Sequence, residues 1–206
     1  MTSTHFVVCL TFACAVCSGQ QLVTGPVVVF LGPPGSGKST QAVQAAKLLK
    51  VPVVSAEDLI KENAAELAKA RTSGITGMEP QTDPLLNKFF DARLKKGDLA
   101  RGVILDGYPN TKDQADFSSK LVASGYISKP IILHLQVPDE VVRKRMKGKD
   151  GKVPDSVEQR LKDYHRETTA LEVYFPKAEV VNIDGTKKPK AVTKQINAVL
   201  KARFGK

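Results

Sequence analysis

The residues that most directly specify chemistry are Gly32-Pro33-Pro34-Gly35-Ser36-Gly37-Lys38-Ser39-Thr40, which satisfy the spacing G-x-x-x-x-G-K-[ST] between an apolar run and a helical stretch. Glycine at these points lets backbone N–H groups turn inward around phosphate oxygens, where a side chain would block the approach. The helix that follows directs its positive end at the same anion. Lys38 is placed to reach the β- and γ-phosphates and to follow the migrating charge. The hydroxyl of Ser39 is the usual contact for Mg²⁺, and Thr40 assists with phosphate. Transfer of a phosphoryl group depends on alignment and charge stabilisation and needs no general nucleophile. What remains to be found is therefore a set of positive side chains and a second substrate pocket.

A second segment is the candidate for that pocket. The apolar residues Val103-Ile104-Leu105 end in Asp106-Gly107-Tyr108-Pro109-Asn110, and Gln114 stands five residues beyond the proline. This arrangement resembles the signature of adenylate kinases and related nucleoside monophosphate kinases. The resemblance covers residues 26 to about 204. It includes Ser55-Ala56-Glu57-Asp58-Leu59-Ile60-Lys61, similar to the family's Ser-Thr-Gly-Asp-Leu-Leu-Arg, and Arg145 and Arg160 on the two helices that flank the family's lid.

The resemblance implies an α/β fold with a P-loop NTPase-type parallel five-stranded sheet flanked by helices. It also implies a helical monophosphate-binding insertion over about 55–84 and a short lid over about 147–155. The implied reaction passes the γ-phosphoryl of Mg-ATP to AMP, giving two ADP. A UMP/CMP kinase, or a nucleotide-binding protein with a degraded acceptor site, is the alternative. Implied ATP contacts are Gly35, Ser36, Gly37, Lys38, Ser39, Thr40, Arg145, Lys149 and Lys187. Implied acceptor contacts are Ala56, Lys61, Gly107, Tyr108, Pro109, Asn110, Gln114, Lys152 and Arg160. Lys38, Arg145, Arg160 and Asp106 would carry catalysis, and Ser39 and Asp106 would hold Mg²⁺, the latter through water.

Several positions depart from the family pattern. Asn110 stands where an arginine grips the acceptor phosphate, and an amide donates a hydrogen bond without charge. Lys61, Lys149 and Lys152 replace arginines, which turns bidentate clamping into point-charge attraction. Ala56 replaces a threonine, as in pyrimidine monophosphate kinases, whereas Gln114 matches the residue that reads adenine. Outside this frame Arg145 and Arg160 read as solvated positions on amphipathic helices, Asp106 as a strand-terminal cap and Lys187 as part of a turn.

These groups need a scaffold, and the chain supplies one by alternating short apolar runs with longer amphipathic stretches. Strands are predicted over Val27–Leu31, Val51–Val54, Gly102–Leu105, Ile131–Val137 and Glu179–Ile183. Helices are predicted over Lys38–Lys50, Glu57–Arg71, Asp83–Lys95, Thr111–Ala123, Asp139–Met146, Asp155–Tyr174 and Pro189–Arg203. The Gly- and Pro-bearing stretch Thr72–Thr82 and the Lys-, Gly- and Asp-rich stretch Lys147–Pro154 read as mobile loops.

At 206 residues and 42% hydrophobic content, one compact domain over 21–206 is expected, and a monomer. The formal charge of +10 suits polyanions such as nucleotide phosphates; without aromatic interleaving or a compact Arg-rich run it does not point to nucleic acid. Phe6–Cys17 is almost continuously apolar, the length of an export signal and too short to span a bilayer. No Lys or Arg precedes it, so export of a chain processed near residue 20 stands beside a cytoplasmic chain with an N-terminal extension. All three cysteines, Cys9, Cys14 and Cys17, fall in that segment, which excludes a disulfide framework or a cysteine-built zinc site in the rest of the chain.

Overall fold

The computed structural model describes residues 21–72, 83–174 and 180–205. Five strands form one parallel sheet: β1 (Val27–Leu31), β2 (Val53–Ser55), β3 (Val103–Asp106), β4 (Ile131–Gln136) and β5 (Val180–Asp184), in the order β2-β3-β1-β4-β5. Helices α1 (Lys38–Leu49), α2 (Ala56–Glu62), α3 (Ala64–Thr72), α4 (Asp83–Leu94), α5 (Lys112–Ala123), α6 (Asp139–Arg145), α7 (Asp155–Tyr174) and α8 (Pro189–Phe204) surround it.

Every residue of β1 is buried because both faces of the sheet are covered. Val28 and Phe30 pack with Ala42, Ala45 and Leu49 of α1 and with Val192, Ile196 and Leu200 of α8. Val27, Val29 and Leu31 point the other way, into a cluster with Phe89 and Phe90 of α4 and Ala115 of α5. A period of two thus operates along a run with no polar member, which is why the run reads as continuous. The strand order reverses around β1, and in open parallel sheets the crevice beyond such a reversal is where ligands bind.

Three strands run further toward their C-terminal ends than the apolar pattern indicates. Ser55, Asp106 and Asp184 close β2, β3 and β5, because each has a ladder partner: Ser55 and Phe30 both pair with Asp106, and Gln136 pairs with Asp184. Polar side chains are thereby carried to the edge of the crevice on rigid backbone.

The single helix expected over Glu57–Arg71 is two helices, broken at Asn63 (φ −113°, ψ 24°). Its side chain donates to the Leu59 carbonyl at 2.8 Å, and its own carbonyl accepts from Glu66 and Leu67, so the amide competes with the regular ladder. The Lys147–Pro154 stretch is a non-helical turn: the Gly148 N–H donates to the Lys152 carbonyl at 2.8 Å, and the Lys152 N–H donates to Asp150 Oδ1 at 3.0 Å. Val153 packs beneath it on a small cluster of Val137, Val142, Val157 and Leu161.

The chain just before β1 belongs to the domain. Val23 is buried, its N–H donates to the Tyr126 carbonyl at 3.0 Å, and its carbonyl accepts from Ser128 at 2.8 Å. The segment expected to direct export, with its cysteines, and residues 73–82 of the expected mobile loop lie outside the described residues. Among the described residues, no helix is long and apolar enough to cross a membrane.

Candidate nucleotide site

Beyond the C-terminal ends of β1, β2 and β3 lies a cleft of about 390 Å³. Its floor is the Gly32–Gly37 loop. Gly32 has φ 147°, and a Cβ there would fall 2.7 Å from the Leu135 carbonyl, so only glycine lets this loop leave β1 so close to β4. Gly37, at φ 95°, caps α1 without any side chain, which leaves the first N–H groups of that helix to an outside acceptor. The loop and helix terminus together make an anion cradle. Ser36 is buried under it, and its Oγ has no hydrogen-bond partner among the described residues.

Lys38 folds over this cradle. Its Nζ donates to the carbonyls of Gly32 at 2.6 Å and Pro33 at 2.9 Å. Burial pulls its pKa down to about 8, with Asp106 opposing the shift and Arg160 adding to it. Two neutral carbonyls therefore hold a partly desolvated ammonium within a site shaped for phosphate.

The opposite wall is a polar network. Gln114 donates from Nε2 to Asp83 Oδ1 at 2.7 Å, and its Oε1 accepts the backbone N–H of Asn110, also at 2.7 Å. Thr111 caps α5 by accepting the Gln114 N–H at 3.3 Å and donates its hydroxyl to Asp83 Oδ2 at 2.5 Å. Burial raises the pKa of the Asp83 carboxyl against the lowering effect of these two hydrogen bonds.

The cleft brings together most of the residues named from sequence: Gly35, Gly37, Lys38, Ser39, Thr40, Ala56, Asp106, Gly107, Asn110, Gln114 and Arg160. Others stand elsewhere. Arg145 is a latch at the rim, donating to the carbonyls of Gly35 at 3.4 Å, Gly185 at 2.8 Å and Thr186 at 3.3 Å. Lys149 and Lys152 are exposed on the 147–154 turn, and Lys187 pairs with Asp184 at 3.5 Å. Lys61 is exposed, 3.9 Å from both Glu57 and Asp58. Tyr108 is fully buried, its ring 4.3 Å from that of Phe90 and its hydroxyl donating to Asn87 Oδ1 at 2.7 Å; burial pushes that hydroxyl well above the usual phenol range. Pro109 is buried beside it.

The cleft also holds residues not singled out from sequence: Glu57, Asp83, Thr111, Asp163 and Tyr164. Two signals were available. Thr111-x-x-Gln114 has the spacing of a helix N-terminal box, which ties the threonine to the glutamine. Asp163 and Tyr164 stand three and four residues after Arg160, on the same face of α7. Nothing local marked Asp83, whose partners lie 28 and 31 residues away.

A parallel sheet with its order reversed beside β1, a glycine-built anion cradle, and Lys38, Asp106 and Arg160 around one cleft define a P-loop nucleotide-binding protein with room for a second substrate. Residues 30–180 match the family model described as adenylate kinase. The chain is 34% identical over 163 residues to an adenylate kinase of Nocardia farcinica, spanning 77% of this chain and 90% of that one. It is 30% identical over 191 residues to one of Mesorhizobium japonicum (85% and 96%) and 33% identical over 180 residues to one of Trichodesmium erythraeum (82% and 94%). The chain belongs to the adenylate kinase family.

Proposed function

We propose that this chain, an ATP:AMP phosphotransferase by family, passes the γ-phosphoryl of Mg-ATP reversibly to AMP, and that its own residues divide the work as follows. The observation that carries the assignment is the single cleft with Lys38 over the phosphate cradle at one end and the constrained Gln114 amide at the other.

Lys38 exchanges its two carbonyl partners for the β- and γ-phosphate oxygens, which stabilise the ammonium that burial opposes. Arg160, reaching the cleft from α7, neutralises charge on the transferring group. Asn110 and the Ala56 end of α2 face the acceptor, whose base lies against Gln114. Arg145 keeps the cradle in register with the β5–α8 loop, next to the ATP side. Closure of α2 and α3 and of the 147–154 turn excludes water.

The donor set suits Mg²⁺ brought in with the nucleotide. The Ser39 hydroxyl and the Asp106 carboxylate are hard oxygen ligands lining the cleft, and among the described residues no cluster of three or more acidic, His or Cys side chains would hold a metal unaided. Bound there, the ion offsets phosphate charge.

Incubating purified 21–206 with Mg-ATP and AMP, CMP or UMP, and following the diphosphate products, tests this reading. ADP formation dependent on AMP supports it, and tight ATP binding with no transfer to any monophosphate overturns it. Export remains our reading of residues 1–20, supported by the Phe6–Cys17 run. The mass of the N-terminus of protein recovered from cells checks it, since an intact Met1 on cytoplasmic protein would end it. A monomer in solution is proposed with it.

A further inference from the structure

We propose that Asp83 sets base specificity by locking the side-chain amide of Gln114 in one orientation, so that the acceptor pocket takes adenine and cytosine and rejects uracil and guanine. This rests on the assignment of Gln114 to the acceptor base.

The orientation of Gln114 is dictated by its neighbours. The Asn110 N–H can only donate, so it takes Oε1; the Asp83 carboxylate can only accept, so it takes Nε2. Flipping the amide would set N–H against N–H and oxygen against oxygen, in a site where Asp83 and Gln114 are each 3% exposed. Asp83 is itself held: Thr111 donates to its other oxygen, and Thr111 is fixed as the cap of α5. The lock thus joins the start of α4 to the start of α5.

After these bonds Gln114 keeps one N–H on Nε2 and one lone pair on Oε1, in a fixed left-to-right order. Adenine offers an amino N–H beside a ring-nitrogen acceptor, and cytosine presents the same order. At the same two edge positions uracil (O4 and N3–H) and guanine (O6 and N1–H) present a carbonyl beside a ring N–H, the reverse order, and uracil could offer the first order only by shifting to its N3–H and O2. A free amide would turn to suit either pair, but one held by Asp83 and Asn110 suits only the first.

The test measures equilibrium binding of AMP, CMP and UMP to the full chain by calorimetry, for wild type, Asp83→Ser and Asp83→Asn. The serine hydroxyl donates or accepts, so it removes the carboxylate half of the lock, leaves the Asn110 N–H as the remaining restraint on the amide, and keeps a good helix-starting residue at α4. Asparagine can still accept from Gln114 while its own amide donates to Thr111. Expected results are a wild-type preference for AMP and CMP over UMP, a roughly tenfold narrowing of the UMP-to-AMP ratio in Asp83→Ser through tighter UMP, and the wild-type ratio in Asp83→Asn. Equal wild-type affinity for AMP and UMP overturns the lock. So does an Asp83→Ser variant that weakens both alike. Transfer assays on the same proteins separate the two readings: selective binding without transfer leaves the lock standing and removes the kinase assignment, whereas transfer without selectivity does the opposite.

Discussion

The backbone N–H of Asn110 donates to Oε1 of Gln114, so residue 110 holds that amide through its main chain while its side chain stays exposed at the cleft. The two functions are separable, because a substitution at 110 leaves the N–H in place. Asn110→Arg adds a fork able to grip phosphate where the amide carries no charge. Charge-assisted hydrogen bonds contribute about 1.5–3 kcal/mol, so the KM for AMP should fall roughly tenfold or more with kcat little changed. Steady-state kinetics with AMP varied at saturating Mg-ATP checks this; an unchanged KM would show that residue 110 does not face the acceptor phosphate.

Arg145 and Arg160 separate in the same manner. Arg145 binds three loop carbonyls, whereas Arg160 lines the cleft. Arg145→Ala should raise the KM for ATP by about tenfold, the worth of one or two hydrogen bonds at ~1 kcal/mol each, and leave the KM for AMP alone. Arg160→Ala should instead lower kcat by about 10²–10³. A loss of kcat in Arg145→Ala equal to that in Arg160→Ala, with no change in thermal stability, would mean that Arg145 leaves its carbonyls during turnover.

If Lys38 meets the ATP phosphates as proposed, ATP binding should be sensitive to pH. Its pKa in the folded chain is pulled to about 8 by burial, below the ordinary 10.5. ATP affinity of the free protein should therefore weaken as pH rises through about 8, read by titration calorimetry between pH 7 and 9. The stability effect has the opposite sense. Between about 8 and 10.5 the unfolded chain holds the proton that the folded chain has lost, so this lysine makes stability rise across that window. Lys38→Met should abolish that rise and be no less stable than wild type at pH 7. A Lys38→Met chain that keeps the wild-type pH dependence of ATP affinity would contradict the assignment.

How far the sequence could be read follows from the range of each interaction. The Gly32–Thr40 loop was legible because the features that mark it are local: its glycines, Lys38 and Ser39 fall within nine consecutive residues, and the strand and helix around them follow from patterning. The sheet was legible for a similar reason, with ends displaced where ladder partners extend the pairing to Ser55, Asp106 and Asp184. Asn63 was hidden because one side-chain hydrogen bond breaks a helix that periodicity alone would continue. Arg145 and Arg160 looked equivalent because which of two helix faces meets the cleft is decided by packing across the molecule. Asp83 was invisible because its meaning lies wholly in partners on another helix.

Asp83 also leaves a mark on stability. Its carboxyl has a folded-state pKa above the ordinary 3.8, with burial the leading cause. Starting at about 3.8 and rising to that higher value, the folded chain keeps a proton that the unfolded chain has released, so stability falls as pH rises across the window. Other carboxylates act in the opposite sense, among them Asp98 and Glu158, which are held low by hydrogen bonds to Arg93 and Arg143. The wild-type profile therefore mixes both signs, and the informative quantity is the difference from Asp83→Asn, in which the other groups cancel. That variant carries the neutral form permanently. Relative to wild type it should gain stability steadily from about pH 4 upward and then level off, as read by denaturant midpoints at fixed ionic strength. A difference that is flat with pH would mean that Asp83 titrates as an ordinary carboxylate. A difference of the opposite sign would mean that its hydrogen bonds from Thr111 and Gln114 outweigh its burial.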